Sequence, residues 1–321
     1  MKAAVYYETG APEVLRYEDV PDPVCPPNGV AFDVKAIGIE GGDAGNRARG
    51  MMAARPHVVG YNCAGVVREV GAQVKDRKVG DRVTALMMHG SHAARAAVAV
   101  AQTWLVPDAL SLEHAACVPV AWGTAHDCLF EFGRLRAGES VLVQAGGSGV
   151  GLACVQLAKR AGATVFATAG SKEKLERLAA FGVDHGICYR DVDFVAEVQK
   201  LTQNRGVNLV VDAVGDTLQR SLLCLGYRGR AVTVGNASRS DLKIDPSPLA
   251  PGNRSLTGVF FGAEVALAAA RVRAMLDQIL ADLAKGELSV VVDRRFPLSE
   301  AAAAHAYVES RAAFGRVVLI P

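Results

Sequence analysis

The sequence predicts an α/β protein in which a doubly wound parallel sheet is accompanied by a β-rich unit. Three observations lead to this prediction: short strands separated by turns before residue 117, an alternation of strands and helices from Val141 onward, and a glycine-rich turn where that alternation begins. Strands that alternate with helices form parallel sheets with right-handed crossovers. A chain of 321 residues is long enough for two such units.

The β-rich unit is predicted from short apolar runs that proline and glycine residues separate. Both residues interrupt regular structure, and short runs between them are typical of strands. The last segment of the chain, Arg316–Ile320, also has strand character, so we expect it to rejoin this unit. The predicted strands before residue 117 are Lys2–Tyr6, Val30–Ile37, Gly65–Val70, Arg82–Leu86 and Ala96–Ala99.

The parallel sheet is predicted from strands that alternate with amphipathic helices. Apolar residues recur at helical spacing from Val150 to Ala161, which predicts the first crossover helix. A second helix is predicted over Lys172–Phe181, and a long one over about Glu264–Lys285 with Leu267 on its apolar face. The predicted strands are Val141–Val143, Thr164–Thr168, Gly186–Tyr189, Leu209–Asp212 and Ala231–Val234.

Composition excludes several classes of protein. Half of the residues are hydrophobic and 21% are charged, so the chain can bury a core and is not a disordered segment. The net charge is +2 with no run of like charge, which argues against a dedicated nucleic-acid-binding protein. An acid at Glu8 precedes any apolar core of a signal peptide, and no charge-free stretch of about 18 residues follows. We therefore expect a cytoplasmic protein that does not enter the membrane.

The turn Gln144–Gly151 has the context of a phosphate-binding loop, since it joins a strand to an amphipathic helix. Glycines let the backbone approach a pyrophosphate, whose charge is met by free N–H groups and the positive end of the helix. Leu152 stands where the third glycine of the strict Gly-x-Gly-x-x-Gly pattern would be. The turn predicts dinucleotide binding, and the alternative is a glycine-rich turn that holds no nucleotide.

The residues after the second strand predict which dinucleotide is bound. An NAD site commonly has Asp or Glu about 20 residues after the glycines, where it holds the ribose hydroxyls. The stretch Thr168–Lys174 has no acid at the turn and places a hydroxyl and two lysines within reach of a 2′-phosphate. These features favour NADPH. The alternative for the lysines is an ordinary solvated helix face.

Motifs along the whole chain resemble the medium-chain dehydrogenase/reductase superfamily, specifically the zinc-less quinone oxidoreductase branch that includes zeta-crystallin. The resemblance implies a Rossmann domain at residues 118–256 and a GroES-like catalytic domain formed by residues 1–117 and 257–321. It also implies a homodimer, paired through a strand at Ser255–Phe260. The motifs, besides the Gly146–Gly151 turn, are Gly60–Val67, Val79–Val83, Gly123–Ala125, Val211–Gly215, Val234–Asn236 and His305–Arg311.

The resemblance also implies site residues, which fall into groups around the cofactor and the substrate. Under the pyrophosphate it places Gly147, Ser148, Gly149 and Val150. Around the 2′-phosphate it places Gly170, Ser171, Lys174 and Tyr189. Along the nicotinamide half it places Gly235, Asn236, Phe260, Phe261 and Gly262. The candidates for polar contact with the reacting groups are Glu40, Asn62, Thr124 and Asn236. Phe260 and Tyr189 have strand and core packing as their alternative.

The first catalytic loop departs from the family pattern. Zinc relatives begin this loop with Cys and have His-Glu in the next glycine motif, whereas this chain has Glu40 and then Tyr61-Asn62, which argues against a metal. Quinone oxidoreductases carry a loop Tyr where this chain has Gly45, so the pocket loses a hydroxyl. A desolvated Glu40 would have a raised pKa and serve as proton donor; its alternative is a solvent-facing Glu without a role. Asp43 reads as a helix N-cap.

The predicted function is the transfer of a hydride from NADPH to a quinone or an α,β-unsaturated carbonyl, without a metal. Tyr61 and Trp122 are candidates for walls of the substrate pocket, with packing as their alternative. Two other functions stay open. One is the reduction of an enoyl thioester, and the other is that of a non-catalytic, crystallin-like protein that binds NADPH.

Overall fold

The computed structural model describes residues 1–241 and 243–321, and it divides into two compact units. Residues 1–121 and 265–321 form one of them, here called the terminal unit, and residues 122–264 form the other, the central unit. Both ends of the chain therefore belong to the same unit, as the strand character of the last segment predicts.

The chain up to residue 121 contributes strands and two short helices to the terminal unit. Its strands are β1 (Lys2–Tyr6), β2 (Arg16–Asp19), β3 (Gly29–Gly38), β4 (His57–Val58), β5 (Asn62–Val70), β6 (Arg82–Leu86), β7 (Arg95–Ala99) and β8 (Thr103–Leu105). Its helices are α1 (Gly41–Arg49) and α2 (Leu112–Ala115), and α3 (Pro119–His126) continues into the central unit.

The central unit alternates strands and helices, as the sequence predicts. Its strands are β9 (Ser140–Val143), β10 (Thr164–Ala169), β11 (His185–Cys188), β12 (Val207–Asp212), β13 (Leu225–Val234) and β14 (Ser255–Val259). Its helices are α4 (Gly149–Arg160), α5 (Lys172–Ala179), α6 (Phe194–Leu201), α7 (Leu218–Ser221) and α8 (Phe261–Leu267). The chain then returns to the terminal unit with α9 (Ala269–Ala284), β15 (Val292–Pro297), α10 (Ala301–Glu309) and β16 (Arg316–Ile320).

Two sheets build the terminal unit. The larger has the order β15-β16-β3-β5-β6-β8, with β7 also pairing with β3, and the smaller has the order β2-β1-β4. Most of these pairs are antiparallel, and β15 with β16 is parallel. The core between the elements is apolar and includes Tyr6, Phe32, Ile37 and Leu319, each fully buried. Because β16 pairs with β3, the last strand is held by residues near the start of the chain.

One parallel sheet of six strands organises the central unit, in the order β11-β10-β9-β12-β13-β14. Leu142, Phe166, Ile187 and Val210 from its strands are buried together against the helices. The first strand in sequence, β9, lies between β10 and β12, so the chain departs to opposite sides of β9. In doubly wound sheets, ligands bind beyond the carboxyl ends of the strands at such a switch point.

The structure differs from the sequence predictions at several boundaries. A domain boundary at residue 257 would cut β14, which pairs along its length with β13 and so keeps the central unit continuous to Glu264. The long helix predicted over Glu264–Lys285 is two helices, α8 and α9, separated at Ala268, whose backbone is not helical. Leu267, predicted on the apolar face, is 86% exposed because α8 ends there.

Helix α1 starts earlier than predicted. Its N-cap is Glu40, and Asp43 occupies the third helical position, so the prediction of Asp43 as N-cap is wrong. Asp43 still satisfies a free donor of the helix start, because its Oδ2 accepts a hydrogen bond from the Glu40 N–H at 2.8 Å. All seven cysteines are free thiols. In the part of the chain that the structure describes, no helix combines the length and apolarity needed to cross a membrane.

Candidate cofactor edge and active site

The predicted cofactor-binding residues meet at one edge of the central sheet. The glycine turn follows β9, Gly170 and Ser171 follow β10, Tyr189 follows β11, and Gly235 follows β13. The segment 260–262 follows β14. Because all these strands are parallel, their carboxyl ends lie on the same side of the sheet. Residues spread over more than a hundred positions thus form one candidate site.

The turn before α4 presents unpaired backbone donors. Within residues 1–241 and 243–321, the N–H groups of Gly147, Gly149 and Val150 make no hydrogen bond. Ser148 is the N-cap of α4, and its Oγ accepts a hydrogen bond from the Gly151 N–H at 3.0 Å. The free donors lie at the positive end of a helix of 12 residues, which attracts a phosphate group.

Gly151 allows the close contact between turn and helix that the strict Gly-x-Gly-x-x-Gly pattern assigns to its third glycine, the position of Leu152 in this chain. A Cβ on Gly151 would lie 2.4 Å from the carbonyl oxygen of Ala145 and 2.7 Å from that of Gly146, which no side chain can accept. Ala145 itself adopts a left-handed backbone with φ of 52°. The close contact between turn and helix therefore occurs one residue earlier than the strict pattern places it.

A buried chain of hydrogen bonds fixes the glycine turn to two neighbouring strand ends. The Ala145 N–H donates to Thr168 Oγ1 (3.1 Å), and that hydroxyl donates to Gln144 Oε1 (2.7 Å). Gln144 Nε2 donates to Ser221 Oγ (3.0 Å), which donates to Asp212 Oδ2 (2.9 Å). The turn is therefore held in place through the ends of β10 and β12. The sequence analysis placed Gln144, Thr168 and Asp212 within motifs but named none of them as a site residue.

The turn after β10 gathers groups suited to a phosphate monoester. Ser171 caps α5, and its Oγ accepts from the Lys174 N–H at 3.3 Å. A Cβ on Gly170 would lie 2.8 Å from Tyr189 Oη and 3.5 Å from Arg190 Nε, so both side chains approach the turn because residue 170 is glycine. The sequence analysis did not name Arg190 as a site residue, although this basic residue follows Tyr189 directly in the sequence.

Asn236 is engaged within its own turn. Its Nδ2 donates to the Ser240 carbonyl oxygen at 2.7 Å, and its Oδ1 accepts from Ser238 Oγ at 2.8 Å. Both ends of the amide therefore order the segment after β13. Gly235 precedes it with φ of 70°, and a Cβ there would meet no atom within 4 Å.

The two phenylalanines after β14 differ in their surroundings. Phe261 is 5% exposed, and a Cβ on Gly123 would lie 2.2 Å from its ring, so Phe261 packs closely against α3. Phe260 is 70% exposed, and its ring approaches Gly262. The contact of Gly123 with Phe261 brings the buried Thr124 to the end of β14. Trp122 on the same helix is buried.

In the terminal unit, Glu40 is the centre of a buried ion pair. Arg316 Nη1 donates to Glu40 Oε2 at 2.9 Å, and Arg316 Nη2 donates to Oε1, which also accepts from Asn62 Nδ2 at 2.5 Å. Glu40 and Arg316 are 5% and 7% exposed. Of the two alternatives for Glu40, the solvent-facing one is therefore wrong, and both carboxylate oxygens accept hydrogen bonds from protein donors.

Burial and the charges of this ion pair together shift the pKa values of its members. Burial raises the pKa of Glu40, and Arg316 and Asn62 oppose that shift only in part. Burial acts to lower the pKa of Arg316, but the Glu40 carboxylate more than offsets it, so the pKa is raised. Arg316 also hydrogen-bonds the Cys117 thiol, whose pKa burial raises to about 11. Arg316 thus stays charged beside Glu40.

Comparison with known proteins agrees with this architecture. A zinc-binding dehydrogenase family model matches residues 149–281, and an alcohol dehydrogenase GroES-like domain model matches residues 26–111. The 2-haloacrylate reductase of a Burkholderia species is 34% identical over 99% of this chain and 98% of its own length. The quinone oxidoreductase of Sus scrofa is 29% identical over 100% of this chain and 98% of its own.

Among solved structures, the Escherichia coli quinone oxidoreductase in complex with NADPH superposes with a TM-score of 0.95, at 30% identity and over 100% of both chains. The central unit has a parallel sheet with a glycine-rich turn, and both chain ends form a β-rich unit. This is the domain arrangement of the dehydrogenases whose family models match the chain. The chain belongs to the medium-chain dehydrogenase/reductase superfamily and is similar to its quinone oxidoreductases. The predicted fold, a Rossmann-like and a GroES-like domain, is confirmed.

One matching family model is named for zinc, which makes the metal-ligand types in this chain relevant. Across residues 1–241 and 243–321, no group of three or more His, Cys, Asp or Glu side chains is arranged to hold a metal ion. His57 Nδ1 accepts a hydrogen bond from the Ala53 N–H, and His92 Nε2 lies 3.1 Å from His305 Nε2. These histidines therefore have protein partners of their own.

Proposed function

We propose that the protein is an NADPH-dependent reductase that delivers a hydride to a quinone or an α,β-unsaturated carbonyl compound without a metal. The observation that carries the proposal is the edge of the central sheet, where free N–H groups and cationic side chains follow adjacent parallel strands. Bound NADPH would supply the hydride. The E. coli quinone oxidoreductase, described as a complex with NADPH, supports this choice of cofactor.

The pyrophosphate would be bound by the N–H groups of Gly147, Gly149 and Val150, with Ser148 fixing the helix start. The close contact at Gly151 supports this assignment, because a residue with a side chain there would push the turn away from α4. Gly235, Asn236 and the segment 260–262 would line the nicotinamide half. Thr124 would supply a hydroxyl there.

The 2′-phosphate would be held by Ser171, Lys174 and Tyr189, joined by Arg190. The guanidinium of Arg190 lies beside Gly170, is exposed, and makes no ion pair with the described residues. The only acid within Gly170–Lys174 is Glu173, which is exposed in the first turn of α5. These charges favour NADPH over NADH.

Metal-free chemistry is supported by the donors around Glu40. Arg316 and Asn62 occupy both carboxylate oxygens, and a metal ion would have to displace a guanidinium that is itself buried. Cys63 and Cys117 are fully buried, and burial raises the pKa of both thiols, which disfavours the thiolate that binds metals. Glu40 therefore acts as a counter-ion to Arg316 in this proposal, in place of the proton donor considered from the sequence.

We also propose that the chain forms a homodimer through β14. This strand is the last of the six-stranded sheet, so one side of its backbone has no neighbouring strand in the described chain. Two copies joined there would continue one sheet across the interface. The reduction of enoyl thioesters and cofactor binding without catalysis remain the competing functions.

Loss of the 2′-phosphate contacts tests the cofactor assignment. We expect Lys174→Ala and Arg190→Ala each to weaken NADPH binding by about tenfold, the effect of losing one charge-assisted hydrogen bond. NADH binding should hardly change, because NADH lacks the 2′-phosphate. Fluorescence titration with both coenzymes measures this difference.

Lys200→Ala is the matched control, since Lys200 lies on α6 and pairs with Glu197 in the same unit. Equal losses for NADPH and NADH would remove the 2′-phosphate assignment. Following nicotinamide absorbance with a panel of 1,4-quinones, enones and enoyl thioesters then separates the three functions. Tight NADPH binding without oxidation by any acceptor would favour the non-catalytic protein.

A further inference from the structure

The carboxylate of Asp212, at the end of β12, joins two loops at the carboxyl edge of the central sheet. Its Oδ1 accepts hydrogen bonds from the backbone N–H groups of Val214 (2.9 Å) and Gly215 (3.0 Å). Its Oδ2 accepts from the hydroxyls of Thr217 (2.7 Å) and Ser221 (2.9 Å). The two oxygens of this fully buried group therefore have different partners, backbone donors on one and hydroxyl groups on the other.

The Oδ2 side leads to the glycine turn. Ser221 Oγ donates to Asp212 and therefore accepts from Gln144 Nε2. The Gln144 amide oxygen then faces Thr168, whose hydroxyl donates to it at 2.7 Å. With its hydrogen used in this way, the Thr168 hydroxyl accepts from the Ala145 N–H at 3.1 Å. The whole series has one direction, because an ionised carboxylate at its end accepts hydrogen bonds and donates none.

The direction of these hydrogen bonds matters at Ala145, whose backbone is left-handed. A residue with a side chain rarely adopts a φ of 52°, so this conformation needs support from its surroundings. Thr168 supplies that support twice, since its hydroxyl accepts from the Ala145 N–H and its carbonyl oxygen accepts from the Gly146 N–H at 2.8 Å. Thr168 therefore orients the turn whose next residues carry the N–H groups proposed to bind the pyrophosphate.

The Oδ1 side leads to the segment after β13. Val214, whose N–H donates to Asp212, accepts from the Ser238 N–H with its carbonyl oxygen at 2.8 Å. The Asp216 N–H donates to Ser238 Oγ at 3.2 Å, and that hydroxyl donates to Asn236 Oδ1 at 2.8 Å. The loop that Asp212 holds therefore orders the residues proposed to line the nicotinamide half.

We infer that Asp212 is a positioning residue for both halves of the dinucleotide: Oδ2 acts on the phosphate-binding turn, and Oδ1 acts on the segment beside the nicotinamide. This inference rests on the proposed binding of NADPH and adds residues that shape the site from below its surface, since Asp212, Gln144 and Thr168 are each at most 2% exposed. The hydrogen bonds cross the ends of β10, β9, β12 and β13, which are consecutive neighbours in the sheet.

Replacing Asp212 by Asn separates the two sides. Only an oxygen can accept from the N–H groups of Val214 and Gly215, so the amide oxygen keeps the position of Oδ1 and the new NH₂ group takes that of Oδ2. Ser221 must then accept from residue 212, which reverses the direction of the hydrogen bonds that reach Thr168. We therefore expect Asp212→Asn to weaken pyrophosphate binding and to leave the segment beside the nicotinamide in place.

The binding of two ligands measures this difference. NADPH contains both halves, whereas 2′-phospho-ADP-ribose carries the same phosphates and has no nicotinamide. Asp212→Asn and Thr168→Val should each weaken the binding of both ligands equally, by about fivefold, the effect of one lost hydrogen bond. Ser238→Ala, on the Oδ1 side, should weaken the binding of NADPH alone. Isothermal titration calorimetry gives both dissociation constants.

Two controls separate positioning from a general loss of stability. Thr168→Ser keeps the hydroxyl and should bind both ligands as wild type does. Thr202→Val removes another buried hydroxyl of the central unit, which donates to the Val198 carbonyl oxygen at 2.7 Å and accepts from the Gly206 N–H at 3.0 Å, at the opposite end of β12. This variant should lower the free energy of unfolding in urea without changing either dissociation constant.

The outcomes distinguish this inference from the proposed function. Wild-type protein that binds neither ligand would overturn both. Wild-type binding of NADPH, together with unchanged dissociation constants in Thr168→Val and Asp212→Asn, would overturn the inference alone. So would an equal loss for the two ligands in Ser238→Ala, because the two oxygens would then not act on separate halves. Weaker binding in Thr202→Val, matching that in Thr168→Val, would assign the effect to stability and would also contradict the inference.

Discussion

Each unit buries a carboxylate beside its candidate site, but the two differ in the partners that satisfy it. In the terminal unit, Glu40 faces the guanidinium of Arg316, 276 residues away. In the central unit, Asp212 accepts four hydrogen bonds from neutral groups no more than nine residues away, which belong to Val214, Gly215, Thr217 and Ser221. The Glu40 carboxylate is paired with a charge that is distant in sequence, whereas the Asp212 carboxylate accepts hydrogen bonds from residues close to it in sequence.

The two sets of hydrogen-bond partners have different structural roles. Neutral local donors hold the end of β12 in one shape and, through Ser221 and Gln144, support the turn that would bind phosphate. An ion pair at Glu40 instead joins the start of α1 to the last strand, so it ties together the two ends of the chain. The same substitution of a carboxylate by an amide should therefore have unequal effects.

The largest effect is expected for Glu40→Gln. The change leaves the Arg316 guanidinium buried without a counter-ion, and breaking a buried pair in this way costs about 3 to 5 kcal/mol. Urea unfolding of the variant measures the loss of stability. The double variant Glu40→Gln with Arg316→Met should lose less than the sum of the single losses, because it removes both charges. A loss below about 1 kcal/mol for Glu40→Gln would mean that the pair is not needed.

A smaller effect is expected for Asp212→Asn. The amide oxygen still accepts from the N–H groups of Val214 and Gly215, and the hydroxyls of Thr217 and Ser221 can turn to accept from the new NH₂ group. The variant loses the extra strength of hydrogen bonds to a charged group, about 1 to 2 kcal/mol. Urea unfolding measures it against Asp216→Asn, an exposed control on the same loop. A loss as large as that of Glu40→Gln would remove the contrast between the units.

These two sites also mark how far the sequence predicts the molecule. The strand, glycine turn and helix at 141–160 are contiguous, and local periodicity and glycine geometry are sufficient to predict them. The pairing of Glu40 with Arg316 joins positions at opposite ends of the chain, and no local pattern encodes which charge will meet a buried carboxylate. Sequence reasoning therefore left open whether Glu40 is desolvated or faces solvent, and it did not identify Arg316 as the partner of the buried carboxylate.

The structure differs from the sequence predictions in two further places, and each difference has a physical reason. Apolar spacing continues across Ala268 and predicts one helix, because periodicity does not register a single non-helical residue. The Tyr61 hydroxyl next to Asn46 depends on the approach of β5 to α1, which only the tertiary structure defines. The roles assigned to Thr124, Asn236 and the cofactor residues remain predictions until ligand binding is measured.

The smallest expected effect is on pH dependence and belongs to the terminal unit. His92 and His305 are fully buried with their Nε2 atoms 3.1 Å apart, and Ser91 Oγ lies 3.2 Å from the other nitrogen of His92. Burial, followed by the neighbouring His305, lowers the pKa of His92 well below its usual value. The His92 ring is therefore neutral in the folded protein.

The sign of the pH effect follows from that lowered pKa. In the unfolded chain His92 takes up a proton near its ordinary pKa of about 6.5, whereas the folded protein does not, so stability is complete above that pH and is lost as pH falls below it. One such group contributes a slope of about 1.4 kcal/mol per pH unit. Urea unfolding at pH 7.5 and pH 5.5 should show a smaller difference in unfolding free energy for His92→Gln than for wild type. His89→Gln, at an exposed position, should change that difference less, through its effect on the nearby His57. Because burial also lowers the pKa of His57 and His114, the slope should shrink rather than vanish. If the unfolding free energy of His92→Gln depended on pH as that of wild type does, other groups would cause the loss of stability at low pH. The buried contact between His92 and His305 would then not distinguish the terminal unit from the central one.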